Sequence, residues 1–286
     1  MRYRFLRFPE GKTKAVTFSY DDGSRADIRL AQIFNKYDVK CTFNVCSSFL
    51  GQSETDTNLT KEEIQTHLLD KGHEIAVHGA YHRAPGNIRA IDGIQDVLNC
   101  RRSLEELFGC IIRGMAYPDS GITRFSNGAS YENIKRYLTD LDIAYARTLG
   151  QDNNDFELPI DWYSWMPTAK HTNPQIFNYI DEFTGMDVNK MYISQRGPRL
   201  FYIWGHSFEF DRDNNWERID SICEKLSGRE DTWYATNMEI YDYVKAYDSL
   251  IYSVDSLQVY NPTLITVWFL VDDKLYCIKP GETLTI

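Results

Sequence analysis

Along this chain the apolar positions switch repeatedly between two spacings. Residues 15–20 form an apolar-rich run that stops at Asp21, Asp22 and Gly23. A run that short, closed by a turn signal, predicts a buried β-strand. Over residues 26–37 the apolar positions fall at Ile28, Leu30, Ile33 and Phe34, which is the spacing of a helix with one buried face. The exchange then recurs, with strands expected at 41–45, 74–77, 111–117, 143–147, 199–204 and 232–236. Helices are expected at 60–70, 87–107, 131–141, 174–183, 216–226 and 238–250. Thr60 and Glu63 have the spacing of a capping box, while Gly72 and Gly109 mark helix ends.

Residues 150–170, rich in Asp, Asn, Pro and Trp, read as a loop holding at most one short strand. After residue 253 the period changes. Short strands are expected at 256–260, 264–270, 275–278 and 283–286, with turns at Asp272 and Asp273 and at Pro280 and Gly281. The expected fold is therefore α/β: repeated strand–helix units forming a parallel barrel or sheet over residues 1–253. Residues 254–286 would be a small antiparallel β appendage covering one face or end of it.

The chemistry gathers where these strands end. Asp21 and Asp22 are adjacent carboxylates, and burying both without a partner costs several kcal/mol. A divalent cation removes that cost. His78 and His82 follow another predicted strand. One carboxylate and two imidazoles make a ligand set that leaves coordination positions open for water and substrate. Taken singly, Asp-Asp-Gly is an ordinary turn, and two histidines four apart are commonly surface or core residues. The two motifs together, each at the C-terminal end of a strand, point to a site, because α/β folds build their sites at that edge.

Composition narrows the partners. The 286 residues carry a net charge of −10 and a pI near 5.1, which argues against nucleic acid and anionic membranes. No apolar run reaches membrane-span length, and the N-terminus lacks the apolar stretch of a signal peptide. A cytoplasmic location is expected unless a leader has been removed. The six cysteines show no metal spacing and read as buried free thiols.

In their order along the chain, the motifs resemble the polysaccharide deacetylases, carbohydrate esterase family four, over roughly residues 14–250. The resemblance implies a distorted (β/α) barrel, a divalent metal (zinc, with cobalt, nickel or manganese as alternatives) and removal of acetyl groups from a poly- or oligosaccharide. The family's Asp-Asp motif is similar to Asp21, as general base, and Asp22, as metal ligand. Its two-histidine motif is similar to His78 and His82, with Gly79 where the family has Ser or Thr. Its Arg-and-aromatic motif looks like Arg113 through Tyr117 and Pro118. Arg113 would orient the base, and the Tyr117 backbone N–H would face the oxyanion. Its Asp-Trp motif looks like Asp161 and Trp162, with Asp161 keeping the acid charged. Its final motif matches the strand that ends at His206, the general acid, although Ser207 follows where the family usually has Asp, with Glu209 nearby.

Among the remaining aromatics, Trp162 and Trp165 are candidates for stacking on sugar rings, and Trp204 is expected in the core. His67 reads as a surface residue, His73 as structural, and His171 as outside the chemistry. Two rival readings are a small-amide or ureide hydrolase on the same scaffold and a sugar-binding homologue without catalysis. The sequence does not name the sugar, the N- or O-acetyl preference, or the oligomeric state.

Overall fold

The computed structural model describes residues 2–148 and 155–286. A first strand, β1 (Arg4–Arg7), precedes the alternating series. That series runs β2 (Lys14–Asp21), α1 (Ala26–Lys36), β3 (Cys41–Val45), α2 (Lys61–His67), β4 (Glu74–Val77), α3 (Ala90–Phe108), β5 (Gly114–Ala116), α4 (Tyr131–Asp140) and β6 (Tyr145–Arg147). It continues with β7 (Ala169–Lys170), α5 (Ile176–Gly185), β8 (Arg199–Gly205), α6 (Phe208–Arg212), α7 (Trp216–Leu226), β9 (Thr232–Tyr234) and α8 (Asn237–Asp248). Five short strands finish the chain: β10 (Ile251–Tyr252), β11 (Gln258–Tyr260), β12 (Val267–Val271), β13 (Lys274–Ile278) and β14 (Thr283–Thr285).

The parallel strands form one curled sheet in the order β6-β5-β4-β3-β2-β8-β7, making a distorted (β/α) barrel. β2 is its axis. It pairs with β8 on one side, and on the other with β9 along its first half and β3 along its second. The loop expected at 150–170 closes the ring over its last six residues; residues 150–154 lie outside those described. The Trp165 N–H donates to the Ala146 carbonyl at 3.2 Å, and the Thr168 N–H to the Tyr202 carbonyl at 2.8 Å. One irregular segment thus joins β6 to β8, which accounts for the distortion.

Strand side chains alternate between two faces. Val16, Phe18 and Tyr20 pack outward into the main apolar cluster beneath the helices, with the Phe18 ring 4.7 Å from Phe34 of α1. Thr17, Ser19 and Asp21 face the other way, into the barrel. There they meet Thr42 and Asn44 of β3, Glu74 of β4, Tyr145 and Arg147 of β6, and Tyr202 of β8. Asn237 plugs the lower end. Its N–H donates to Thr42 Oγ1 (3.0 Å) and its Nδ2 to Tyr202 Oη (2.6 Å), while its Oδ1 accepts from Thr17 Oγ1 (2.9 Å). The barrel interior is therefore a largely hydrogen-bonded column, which satisfies most of the buried polar groups that would otherwise each cost about 1–3 kcal/mol, with Asn44 Oδ1 and Arg147 Nε and Nη1 as exceptions.

At the tail, β12 pairs with both β1 and β13, and β11 pairs with both β10 and β14. The N-terminal strand therefore belongs to one of two small antiparallel sheets. Period-two alternation is weak in Arg4–Arg7, so only the pairing with β12 reveals it. All six cysteines are free; four are buried, as the default reading has it, whereas Cys110 and Cys277 are exposed. Among the described residues no helix is long and apolar enough to cross a membrane.

Candidate metal centre and catalytic cluster

Asp22, His78 and His82 come together at the C-terminal edge of the sheet. Asp22 Oδ1 lies 3.5 Å from His78 Nε2 and 3.3 Å from His82 Nε2. One ligand atom from each residue falls within 4.8 Å of the other two. His78 Nδ1 sits 2.9 Å from the Ala116 carbonyl. A carbonyl only accepts, so Nδ1 carries the hydrogen and Nε2 presents a lone pair. That Nε2 is buried and has no hydrogen-bond partner. An orphaned imidazole nitrogen aimed at a carboxylate and a second imidazole fits a divalent cation. Burial by itself would lower the His78 pKa, but Asp21 and Asp22 more than offset it, so it is raised. His82 is lowered by burial and by the charge of His78.

The backbone is strained at both ends of this set. Asp22 has φ 81° and His82 φ 53°, left-handed values that cost a non-glycine residue about 1–3 kcal/mol. Asp22 is held by its N–H bond to the Asn44 carbonyl at 3.0 Å. The loop that carries His82 is held by Asp96 of α3, whose Oδ1 accepts from the Tyr81 N–H at 3.0 Å. Gly79 is required there, because its φ is 72° and a Cβ would come within 2.4 Å of Asp96 Oδ2. Asp96 thus fills the space a Ser or Thr side chain at position 79 would occupy.

Asp21 is fully buried beside this set, with each of its oxygens held. Oδ2 accepts from Arg147 Nη2 at 2.5 Å, and Oδ1 from Asn44 Nδ2 at 2.9 Å. Trp204 lies under the Arg147 guanidinium, 4.8 Å from its ring centre. From the far side of β2, His206 Nε2 comes within 3.9 Å of both Asp21 Oδ2 and Asp22 Oδ2. Five of the expected site residues, Asp21, Asp22, His78, His82 and His206, therefore meet in one place.

The other five stand outside that set of contacts, although the Tyr117 backbone follows the Ala116 carbonyl that meets His78 Nδ1. Arg113 enters β5 at its N-terminal end, a strand length from the cluster, and its Nε donates to the Asp142 carbonyl. Arg147, at the C-terminal end of the neighbouring β6, takes the place beside Asp21. The Tyr117 N–H already donates to the Arg147 carbonyl at 2.9 Å and is not free for an oxyanion. Asp161 accepts from Lys135 Nζ and Tyr131 Oη, each at 2.7 Å, so it braces α4 and does not partner His206. Trp162 and Trp165 pack edge to face in the apolar cluster under α8. The tryptophan beside the site is Trp204, the one expected in the core. A signal for Arg147 was present in the sequence: it stands two residues after the inward Tyr145, as Asp21 stands two after Ser19.

His206 is instead accompanied by Glu209, from the first turn of α6, with Nδ1 3.6 Å from Glu209 Oε1. Glu209 Oε1 also accepts from Lys170 Nζ at 2.7 Å, and Oε2 is 3.3 Å from His171 Nε2. Burial pushes the Glu209 carboxyl up, but His206 and Lys170 draw it down to about 2. His171 is buried between the rings of Tyr20 and Phe210, and burial lowers its pKa to about 3.

Residues 9–137 match the sequence profile of the polysaccharide deacetylases. That stretch of 129 residues, under half of the chain, is similar to the polysaccharide deacetylase family. It contains Asp21, Asp22, His78 and His82 and ends before Arg147 and His206. No curated protein matches the chain. In fold the chain is similar to a Mycobacterium smegmatis protein assigned to the polysaccharide deacetylases, at 17% identity and TM-score 0.56, covering 87% of this chain and 96% of that one. A Pseudomonas aeruginosa PAO1 protein assigned to the same class gives 14% identity and TM-score 0.57, covering 82% and 92%. Puue allantoinase gives 13% identity and TM-score 0.57, covering 82% and 91%. At these identities the likeness is one of fold.

Proposed function

We propose that this protein is a metal-dependent hydrolase that removes acetyl groups from an acetylated amino sugar in a poly- or oligosaccharide. The observation carrying this reading is the convergence of Asp21, Asp22, His78, His82 and His206 from three strand ends, with His78 Nε2 left without a partner. Asp22, His78 and His82 would hold the ion, and zinc suits two imidazoles and a carboxylate. When bound there, the ion supplies Lewis acidity toward an acyl oxygen and toward water. Asp21, fixed by Arg147 and Asn44, takes the proton from the attacking water. As the carbon–nitrogen bond breaks, His206 delivers a proton from Nε2 to the departing amine, and acetate is the second product. Trp204 holds the Arg147 guanidinium against its ring, which keeps the base from swinging away.

A second reading, hydrolysis of a cyclic ureide or another small amide, is favoured by the allantoinase among the fold relatives. One experiment separates the two. Acetate and amine release would be measured on N-acetylglucosamine oligomers and acetylated xylan, and ring opening on allantoin, with protein stripped by chelator and then given back zinc. Acetate release that is lost on stripping and restored by zinc is expected. Consumption of allantoin with no acetate from any sugar would overturn the proposal, and acetate release indifferent to chelator would overturn the metal assignment.

A further inference from the structure

We infer that Glu209 is the positioning residue of the acid: it fixes His206 so that Nε2, not Nδ1, faces the reacting group. This rests on the reading of His206 as the acid, and it assigns to α6 a role that the sequence motif placed at Asp161.

Three observations carry it. The Glu209 carboxylate is only 5% exposed, yet it is placed at the side of the imidazole that faces away from the cluster, 3.6 Å from a buried Nδ1 that has no other partner. The opposite nitrogen, Nε2, points at Asp21 and Asp22. The carboxylate is itself held: Lys170 Nζ bonds Oε1 at 2.7 Å and Arg212 Nη1 lies 3.9 Å from the same oxygen, while His171 Nε2 packs 3.3 Å from Oε2 without a hydrogen bond. His171 is in turn wedged between two rings, with its Nδ1 3.1 Å from Tyr20 Oη.

Gly205 is part of the same device. A Cβ there would lie 2.0 Å from His171 Nδ1, so His171 can pack beside Glu209 only because the residue before His206 is glycine. The geometry has a direct consequence for proton position. A carboxylate has no hydrogen to give, so the nitrogen facing it must be the donor. Nδ1–H is thereby directed at Glu209, and the proton to be transferred sits on Nε2. The gap of 3.6 Å is longer than a hydrogen bond; contacts of this kind tighten when substrate is bound. The Phe208 ring, 5.3 Å from His206, and Trp204, 5.8 Å away on edge, flank the imidazole.

The test uses the zinc-loaded full chain. Glu209→Gln keeps the shape and removes the obligate acceptor. Its kcat should fall on an N-acetyl chitooligosaccharide, whose amine needs a proton to leave, by at least ~10 times more than on 4-nitrophenyl acetate, whose phenolate leaves unaided. KM and zinc content should stay near wild type. Equal losses on both substrates, or no loss on the amide, would overturn the inference. His206→Ala on the same pair keeps the two readings apart: if it shows no dependence on leaving group, the acid assignment itself fails; if it does while Glu209→Gln does not, only Glu209 is wrong. Should the variant not fold, long-range proton–nitrogen NMR of the wild type still decides. Nδ1 of His206 must carry hydrogen, and a spectrum with hydrogen on Nε2 alone would refute the role of Glu209.

Discussion

Replacing Arg147 by Met tests both the architecture and the chemistry of the base. Both members of the Arg147–Asp21 pair are almost wholly buried. Only one guanidinium nitrogen has a partner; Nε and Nη1 have none among the described residues. Arg147→Met leaves the Asp21 carboxylate in the interior with only the Asn44 amide hydrogen-bonded to it and His206 Nε2 at 3.9 Å. Removing one partner of a buried pair costs about 3–5 kcal/mol. At roughly 2–4 °C per kcal/mol for a chain of this size, Tm should drop by about 6–20 °C. The under-bonded guanidinium implies that the pair as a whole adds little stability. The double variant Asp21→Asn/Arg147→Met should therefore return to within about 1–2 kcal/mol of wild type, roughly 1–4 kcal/mol more stable than Arg147→Met alone. Urea unfolding followed by circular dichroism at pH 7, on metal-free protein, measures the cycle, and deacetylation by the single variant should fall at least ~100-fold. Arg113→Met is the control: that side chain is half-exposed and anchored on one carbonyl, so it should shift stability by no more than about 0.5 kcal/mol. An Arg147→Met protein within 1 kcal/mol of wild type, or a double variant as unstable as the single one, would refute this account of the barrel interior.

Other outcomes follow from the same geometry. His78→Ala/His82→Ala should carry well below about 0.1 zinc per chain by elemental analysis, against about one for wild type, and full occupancy would remove the ligand assignment. Asp96→Ala should weaken zinc binding about 10–100-fold in competition with a chelating dye, because it frees the strained loop that carries His82; an unchanged affinity would show that the loop holds its shape without it. Two buried histidines, His73 and His171, have pKa values lowered by burial to about 4 and about 3. Lowered values mean that the folded state binds fewer protons, so stability is full above about pH 6.5 and falls as the pH drops from there. Glu74 acts in the opposite sense. Burial raises it to about 7 against hydrogen bonds from Tyr145, Met238 and Thr42, so its contribution is full below about pH 4.5 and is lost as the pH rises through 7. Unfolding free energies from pH 4 to 8 should show Glu74→Gln flattening the alkaline limb alone, and an unaltered limb would rule Glu74 out.

The elements and the Asp22, His78 and His82 cluster were legible in local sequence, because both depend on short-range pattern. The apolar run before Asp21 and the helical spacing from Ile28 to Phe34 each need only neighbouring residues to be read. Asp22, His78 and His82 each follow such a strand, and parallel strands deliver their C-terminal ends to one edge wherever they lie in the chain. What the motifs could not supply was the partner of each charged group, because partners are set by strand order and stagger. Arg113 immediately precedes β5 and Arg147 ends the adjacent parallel β6, and only the register, which pairs Ala116 with Arg147, puts one at the mouth and the other near the floor. Asp161 and Glu209 are separated in the same way: both carboxylates lie near predicted site residues in sequence, but the turn of α6 folds Glu209 back under His206 while Asp161 caps a turn facing α4. Trp162, Trp165 and Trp204 differ by which side of the closing segment they fall on, and hydrophobicity does not record that. The tertiary structure alone decided these cases, because a buried charge takes whichever partner the packed backbone brings within about 3 Å.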